Sequence, residues 1–240
     1  MQNTRATEKP YIISGFDDVL RQAENTGLIK SAIKIFEVDA TFSGMSELYV
    51  SLSMNQLNPK FTLVSGISTW FDGRIENFLT KSKFPTRQMY LRNWLTEWSI
   101  ENFKIDKMQK ILIDHPDQKF IVIFDNSQAS LILAKQIQKK FSGKILAIYL
   151  HQVIEKDIPA GAVKYYSAFD IALNEYKNQR MSIEEVNSVA KAITNEKHTD
   201  MLFPNYAVCP VNYDPCAVAD DKIKSICTDV RIHIQTLCSK

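Results

Sequence analysis

The sequence predicts an α/β fold in which a parallel β-sheet is covered by helices on both faces. Patterns typical of strands and of helices alternate along the chain, which is the order that builds a parallel sheet. Two strand patterns, at residues 119–124 and 144–150, are nearly continuous apolar runs, as expected for strands buried on both faces. Open sheets of this kind bind ligands beyond the carboxyl ends of their strands, so the residues that follow each strand are candidates for function.

The remaining elements follow from short apolar runs and from helical periodicity. Three further strands are predicted, at residues 11–13, 61–64 and 89–91. Four helices are predicted, at residues 47–52, 70–79, 105–113 and 129–141. Residues 18–35 are expected to form loosely helical segments, interrupted at Asn25-Thr26-Gly27. A main domain is therefore predicted for residues 8–195, followed by a C-terminal extension at residues 196–240 that packs on it through a loop and a final helix.

Composition limits the classes of function. The chain has 240 residues and a formal net charge of +2, which is too balanced to predict a surface for nucleic acid. No apolar stretch reaches the length that spans a bilayer, and the first residues lack the apolar centre of a signal peptide. We therefore expect a soluble protein, cytoplasmic by default, although contact with a membrane surface is left open.

All four cysteines, Cys209, Cys216, Cys227 and Cys238, lie in the C-terminal tail. They could form disulfides, with three pairings open, or remain free thiols. Gaps of six and ten residues between successive cysteines are wider than the closely spaced pairs of zinc sites. If disulfides form and an N-terminal signal has been removed, we expect a periplasmic or secreted protein.

The strand ends carry residues suited to magnesium-assisted phosphoryl transfer. Gly15, Asp17 and Asp18 follow the first strand, Ser65 and Gly66 the second, Arg92 the third and Asp125 the fourth, and Lys104 stands at the beginning of a helix. Mg²⁺ prefers carboxylates together with phosphate oxygens, while serine, lysine and arginine can hold a phosphoryl group. Each residue also has an ordinary structural explanation, since aspartates often cap helices and serines often lie in turns.

These segments together resemble the phosphatidate phosphatase catalytic-domain family of the haloacid dehalogenase (HAD) superfamily. The similarity rests on Ile12-Ile13-Ser14 with Gly15-Phe16-Asp17-Asp18, on Leu63-Val64-Ser65, Phe84-Pro85, Leu91-Arg92-Asn93-Trp94 and Phe103-Lys104, and on Lys119-Phe120, Asp125 and the run Ile145-Leu146-Ala147-Ile148-Tyr149. It covers residues 11–153. The resemblance implies a HAD-like sheet, a Mg²⁺ cofactor, and a phosphorylated small molecule or lipid, phosphatidate-like, as substrate.

The family's first motif reads Asp-x-Asp-Asp-Thr, and this chain departs from it. Gly15 stands where the nucleophilic aspartate is expected, and Val19 replaces the threonine. The resemblance implies Asp17 as acid/base and metal ligand, Ser65 and Lys104 as catalytic phosphate holders, and Asp125 as a metal ligand. Gly15, Asp18, Gly66 and Arg92 are expected at the substrate.

Two functions remain open from the sequence. Glycine has no side chain that could attack phosphorus, so a phosphatase would need Asp17 to activate a water molecule. The usual acidic companion of Asp125 is also missing from residues 126–130. The alternative is a catalytically impaired pseudophosphatase that binds a phosphorylated ligand or a protein partner. A third possibility is a secreted domain held by its cysteine-rich tail, in which the strand ends have no function.

Overall fold

The computed structural model describes residues 9–23, 41–53, 61–203, 209–211, 213–216 and 220–239. In these residues six strands form one sheet: β1 (Tyr11–Ser14), β2 (Phe61–Ser68), β3 (Gln88–Arg92), β4 (Phe120–Asp125), β5 (Ile145–His151) and β6 (Val163–Tyr165). The strand order is β3-β2-β1-β4-β5-β6, and every neighbouring pair is parallel. The predicted α/β fold with a parallel sheet is confirmed.

Seven α-helices in the described ranges accompany the sheet: α1 (Met45–Ser53), α2 (Asp72–Lys81), α3 (Ile100–Asp114), α4 (Gln128–Phe141), α5 (Ala168–Lys177), α6 (Ile183–Asn195) and α7 (Lys224–Cys238). Two hydrophobic clusters cover the two faces of the sheet. In the central strand β1, Ile12 belongs to one cluster and Ile13 to the other, because successive side chains of a strand point to opposite faces. Helices α3 and α4 complete one cluster, while α1, α2, α5, α6 and α7 complete the other.

Two element boundaries near the strand ends differ from the sequence prediction. Helix α3 begins at Ile100 because the Ser99 hydroxyl accepts a hydrogen bond from the N–H of Asn102, 3.1 Å away, and so caps the helix. Lys104 therefore lies in the second turn and not at the beginning of the helix. Strand β2 continues to Ser68, so Ser65 and Gly66 are part of the strand.

Most of the predicted helical segments at residues 18–35 lie outside the described residues. The part that is described, residues 18–23, forms a turn in which Arg21 makes isolated bridges with Asp17 and Thr41. Strand β6 and helices α5 and α6 were not assigned individually from the sequence. The serine-capped starts of α5 and α6, at Ser167 and Ser182, are capping boxes that the sequence pattern could have revealed.

The C-terminal tail is held by two disulfides, Cys209–Cys238 and Cys216–Cys227. Of the alternatives left open by the sequence, the paired cysteines are therefore observed. Helix α7 also contributes buried Val230, Ile234 and Leu237 to the larger of the two core clusters. The expected final helix is confirmed, whereas the domain boundary at residue 195 stays a prediction.

Candidate active site

A pocket of about 380 Å³ opens at the carboxyl ends of strands β1 to β4. The strand order reverses between β1 and β4, and such a reversal leaves a crevice where ligands bind. All of the predicted site residues except Asp18 line this pocket: Gly15, Asp17, Ser65, Gly66, Arg92, Lys104 and Asp125. The lining also includes Phe16, Val64, Ile67, Trp94, Ile100, Phe124, Ser127, Gln128 and Ala129.

Asp17 is a largely buried carboxylate at the end of the first strand. Its Oδ1 accepts a hydrogen bond from Nη2 of Arg21, 2.8 Å away. Burial raises the pKa of Asp17 above the ordinary value, against the opposing charge of Arg21, and the nearby Asp125 raises it further. A carboxyl group with a raised pKa can take up and return a proton nearer neutral pH.

Asp18 turns away from the pocket. Its backbone has a φ of 54°, and its Oδ1 accepts a hydrogen bond from the N–H of Ala23, 3.0 Å away. Burial raises the pKa of Asp18 to about 7. Its carbonyl oxygen lies 2.7 Å from Nδ1 of buried His151, whose Nε2 lies 3.1 Å from the carbonyl oxygen of Tyr166. This placement gives Asp18 a structural role in the turn and lends no support to the substrate contact expected from the sequence.

Asp125 is the centre of a hydrogen-bonded cluster at the start of α4. Its Oδ1 accepts hydrogen bonds from the hydroxyl of Ser127, 2.7 Å away, and from the hydroxyl of Ser130. Nζ of buried Lys104 donates to the Ser130 hydroxyl across 3.2 Å. Burial raises the pKa of Asp125, but the Lys104 charge and the two serines outweigh it and lower the pKa below its ordinary value. Asp125 is therefore held as a carboxylate anion.

The two carboxylates of the pocket thus have environments that shift their pKa values in opposite directions. Such a pair separates the role of proton carrier from that of a permanently ionised group. Asp17 has the properties of the proton carrier, and Asp125 those of the anion. Their roles as acid/base and metal ligand stay predictions, since they rest on these environments and on the family resemblance.

The part of the pocket formed by strands β2 and β3 is lined by Ser65, Gly66 and Arg92. The Ser65 hydroxyl oxygen accepts a hydrogen bond from the N–H of Ile67 across 3.2 Å, which leaves its proton available for donation. The Gly66 carbonyl accepts from Nε1 of Trp94, 3.1 Å away. Nε of Arg92 is buried and has no hydrogen-bond partner among the described residues. An unpaired buried donor of this kind is costly, and an anionic ligand would satisfy it.

The side chains of the pocket can supply only some of the ligands that a Mg²⁺ ion needs. Asp17 and Asp125 are its two lining carboxylates, and the described residues contain no cluster of three or more His, Cys, Asp or Glu side chains able to hold a metal ion. Mg²⁺ is often bound by one or two carboxylates, with substrate phosphates and water as its other ligands. The donor set therefore fits a Mg²⁺ ion shared with a phosphate ester, and not one held by the protein alone.

Three contributors to the site were missed from the sequence. Arg21 pairs with Asp17 at a spacing of four residues, and Ser130 follows Ser127 by three. Both spacings could have indicated contact if the local turn and the start of α4 had been known. The third contributor is Phe124, which the sequence assigns to a buried strand. Its Cδ1 lies 3.0 Å from where a Cβ atom on Gly15 would be, and the sequence has no signal for this contact.

Comparison with known proteins gives one family. Residues 11–152 match the family model described as phosphatidate phosphatase APP1, catalytic domain. The chain belongs to this family. No curated protein matches the chain, and no solved structure matches it.

Membership of the phosphatidate phosphatase family supports a phosphatase, with a phospholipid-type substrate implied. The matched residues contain strands β1 to β5 and the site positions from Gly15 to Asp125, but they end before strand β6 and the disulfide-bonded tail. No helix in the described ranges combines the length and apolar character needed to cross a bilayer. Family membership therefore supports a phosphatase at the level of the family.

Proposed function

We propose that this protein is a HAD-like, Mg²⁺-dependent phosphatase that hydrolyses a phosphomonoester of the phosphatidate type. The observation that carries the proposal is the common lining of one pocket by Asp17, Ser65, Lys104 and Asp125. These residues come from four separate segments of the chain and meet at the crevice of a parallel sheet. Family membership supports the same class of reaction.

The phosphoryl group would be bound by the donors of the pocket. Lys104 supplies a buried ammonium, Ser65 a hydroxyl proton, and Arg92 its unpaired Nε. These groups can hold the non-bridging oxygens and oppose their charge, which is the main need in phosphoryl transfer. Mg²⁺, bound jointly by phosphate and the two carboxylates, would add neutralising charge.

Water would be the nucleophile, because Gly15 cannot form an aspartyl-phosphate. Ionised Asp17 takes a proton from the water as its oxygen bonds to phosphorus and the ester P–O bond breaks. The same proton then passes from Asp17 to the leaving alkoxide, so the products are an alcohol and inorganic phosphate. The raised pKa of Asp17 suits both transfers.

A second function, phosphate-ester binding without cleavage, is favoured by a specific observation. A Cβ atom on Gly15 would lie 3.0 Å from Cδ1 of Phe124 and 3.2 Å from Cγ2 of Val19. The position of the usual nucleophile is therefore crowded as well as empty of a reactive group. The pocket would then serve as a receptor for a phosphorylated ligand.

Phosphate release from short-chain phosphatidate and from p-nitrophenyl phosphate, with and without Mg²⁺, separates the two functions. Asp17→Asn and Asp125→Asn should each lower release by about a hundredfold or more, as expected when a positioned proton carrier or an electrostatic group is lost. Asp106→Asn changes an exposed carboxylate on α3 and should leave release unchanged. If the wild-type protein binds phosphate in the presence of Mg²⁺ but releases none from either substrate, the hydrolytic proposal is wrong and the binding function stands.

A further inference from the structure

Large apolar side chains are exposed beside the mouth of the pocket. The chain has three tryptophans, Trp70, Trp94 and Trp98, and all of them follow the ends of β2 and β3. Trp70 is 70% exposed, Trp98 84% and Leu95 67%. We call Trp70, Trp94, Leu95 and Trp98 the tryptophan rim.

The rim is attached to the pocket by specific contacts. Trp94 lines the pocket and donates its indole N–H to the Gly66 carbonyl, and its ring lies 6.4 Å from that of Trp70. The Arg92 guanidinium lies 5.8 Å from the Trp94 ring centre and donates to the Trp98 carbonyl across 3.4 Å. The residues that shape the pocket wall therefore also hold the exposed aromatic groups at its edge.

The chemistry of the rim matches a phospholipid surface. Tryptophan is favoured where an apolar phase meets water, because its ring is apolar and its indole N–H is polar. Arg92 provides charge complementarity, since it lies between the rim and the pocket with its Nε unpaired among the described residues, next to where a lipid phosphate would enter. Glu97, which lies between Leu95 and Trp98, is neutralised by Lys107 at 2.9 Å.

We propose that the tryptophan rim docks the pocket on a phospholipid bilayer, with Trp70, Leu95 and Trp98 in the headgroup region and Arg92 beside a lipid phosphate. This inference rests on the proposed function, because it specifies that the phosphomonoester is presented by a lipid. The apolar groups supply the binding free energy, so docking should depend little on bulk salt.

Vesicle sedimentation tests the inference with the full chain. The probes are phosphatidylcholine vesicles with and without phosphatidate. The wild-type protein should sediment with both, and more strongly with phosphatidate. The triple variant Trp70→Ser, Leu95→Ser, Trp98→Ser should bind roughly tenfold or more weakly, given the apolar area lost, yet should cleave soluble p-nitrophenyl phosphate at the wild-type rate.

The matched control is Ile113→Ser, an exposed apolar residue near the far end of α3. Thirteen residues at about 1.5 Å each place it roughly 20 Å along the helix from Ile100 at the pocket, so its loss should not change sedimentation. Tryptophan emission gives an independent signal, since every tryptophan of the chain belongs to the rim. Emission should shift to shorter wavelength on vesicles and be quenched by lipids with brominated acyl chains.

Three outcomes would overturn docking: no sedimentation of the wild-type protein, equal sedimentation of the triple variant, or a change of oligomeric state in the triple variant with no vesicle binding by either protein. The last would identify the rim as a contact between copies of the chain. Hydrolysis of the soluble substrate without vesicle binding would remove docking alone. Vesicle binding without hydrolysis of any substrate would instead remove the proposed catalytic activity.

Discussion

The aromatic ring of Phe124 lies against the backbone of Gly15, where a side chain at position 15 would begin. The distance from an ideal Cβ on Gly15 to Cδ1 of Phe124 is 3.0 Å, shorter than ordinary van der Waals contact. The Phe124 ring centre also lies 5.2 Å from Nζ of Lys104, so the ring lies between position 15 and the cation of the pocket. The side chains around Gly15 therefore occupy the space that a larger residue at this position would need.

Gly15→Ala should consequently destabilise the protein by about 1–3 kcal/mol, as expected for an added methyl group in a packed site. Gly73→Ala is the matched control, because nothing lies within 4 Å of its Cβ position and Gly73 is in helix α2. That control should stabilise by about 0.5–1 kcal/mol. Urea unfolding gives both free energies, and equal stabilisation by the two substitutions would contradict the crowding at Gly15.

The same crowding affects any attempt to restore the family's nucleophile. Gly15→Asp alone should be destabilised and gain little phosphatase activity, because the new carboxylate competes with the Phe124 ring for space. Gly15→Asp combined with Phe124→Leu should lose less stability than the sum of the two single changes. Phosphate release and urea unfolding of all four proteins in this cycle check the expectation, and strict additivity of the free energies would exclude contact between the two side chains.

Lys104→Met should weaken phosphate binding by about tenfold to a hundredfold, the usual range for loss of a charged hydrogen bond. Methionine keeps most of the apolar stem, so the fold should persist. The pKa of Asp125 should rise, because the Lys104 charge is one of the causes that lower it. The measurement is the thermal shift produced by phosphate or vanadate with Mg²⁺.

Lys110→Met is the control for Lys104→Met. Lys110 is on the same helix but is exposed and pairs with Asp114 at 2.8 Å. An unchanged thermal shift for both variants would show that Lys104 does not face the bound anion.

Asp18 should make stability fall as pH rises from about 4 to 7. Burial raises its pKa from 3.8 to about 7, so between these values the folded state binds a proton that the unfolded state has lost. Stability must therefore decrease with increasing pH across this window. Asp18→Asn mimics the protonated carboxyl, can still accept from Ala23, and tolerates a positive φ, so it should flatten this decrease and stabilise the protein at pH 8. Urea unfolding across the pH range measures the free energy of unfolding of both proteins. Parallel pH profiles for the wild-type protein and Asp18→Asn would contradict the raised pKa.

Much of the site could be predicted because parallel strands bring their carboxyl ends to one edge. Asp17, Ser65 and Asp125 were identified as strand-end residues, and their common pocket follows from topology. Side-chain direction could not be obtained in this way. Asp17 faces the pocket while Asp18, the next residue, turns toward Ala23 because its backbone has a positive φ.

The shortest strand and the contacts between elements could not be predicted from the sequence. Strand β6 has only three residues, so its apolar pattern is too short to be distinguished from a loop. The contacts of Phe124 with Gly15 and of Ser130 with Asp125 join residues from separate elements of the fold. Such contacts are fixed by packing between elements and not by the local pattern of residues.

The nested disulfides should contribute unequally to stability. Cys209–Cys238 closes a loop with a sequence separation of 29, and Cys216–Cys227 closes one of 11 inside it. A longer loop loses more entropy in the unfolded chain when it is closed. Replacing Cys209 and Cys238 by alanine should therefore cost about 3–4 kcal/mol, and replacing Cys216 and Cys227 less than that, in the chain-entropy model.

Urea unfolding of the two double variants, compared with the wild-type protein with and without reductant, measures these costs. The reduced wild-type protein should match the variant that lacks all four cysteines, since both have no cross-link. Buried Val230 and Ile234 attach α7 to the core independently of the disulfides, so pocket activity on a soluble substrate should survive in each variant. Alkylation of all four cysteines in the unreduced, denatured protein would contradict the pairing, because disulfide sulfurs do not react with alkylating reagents.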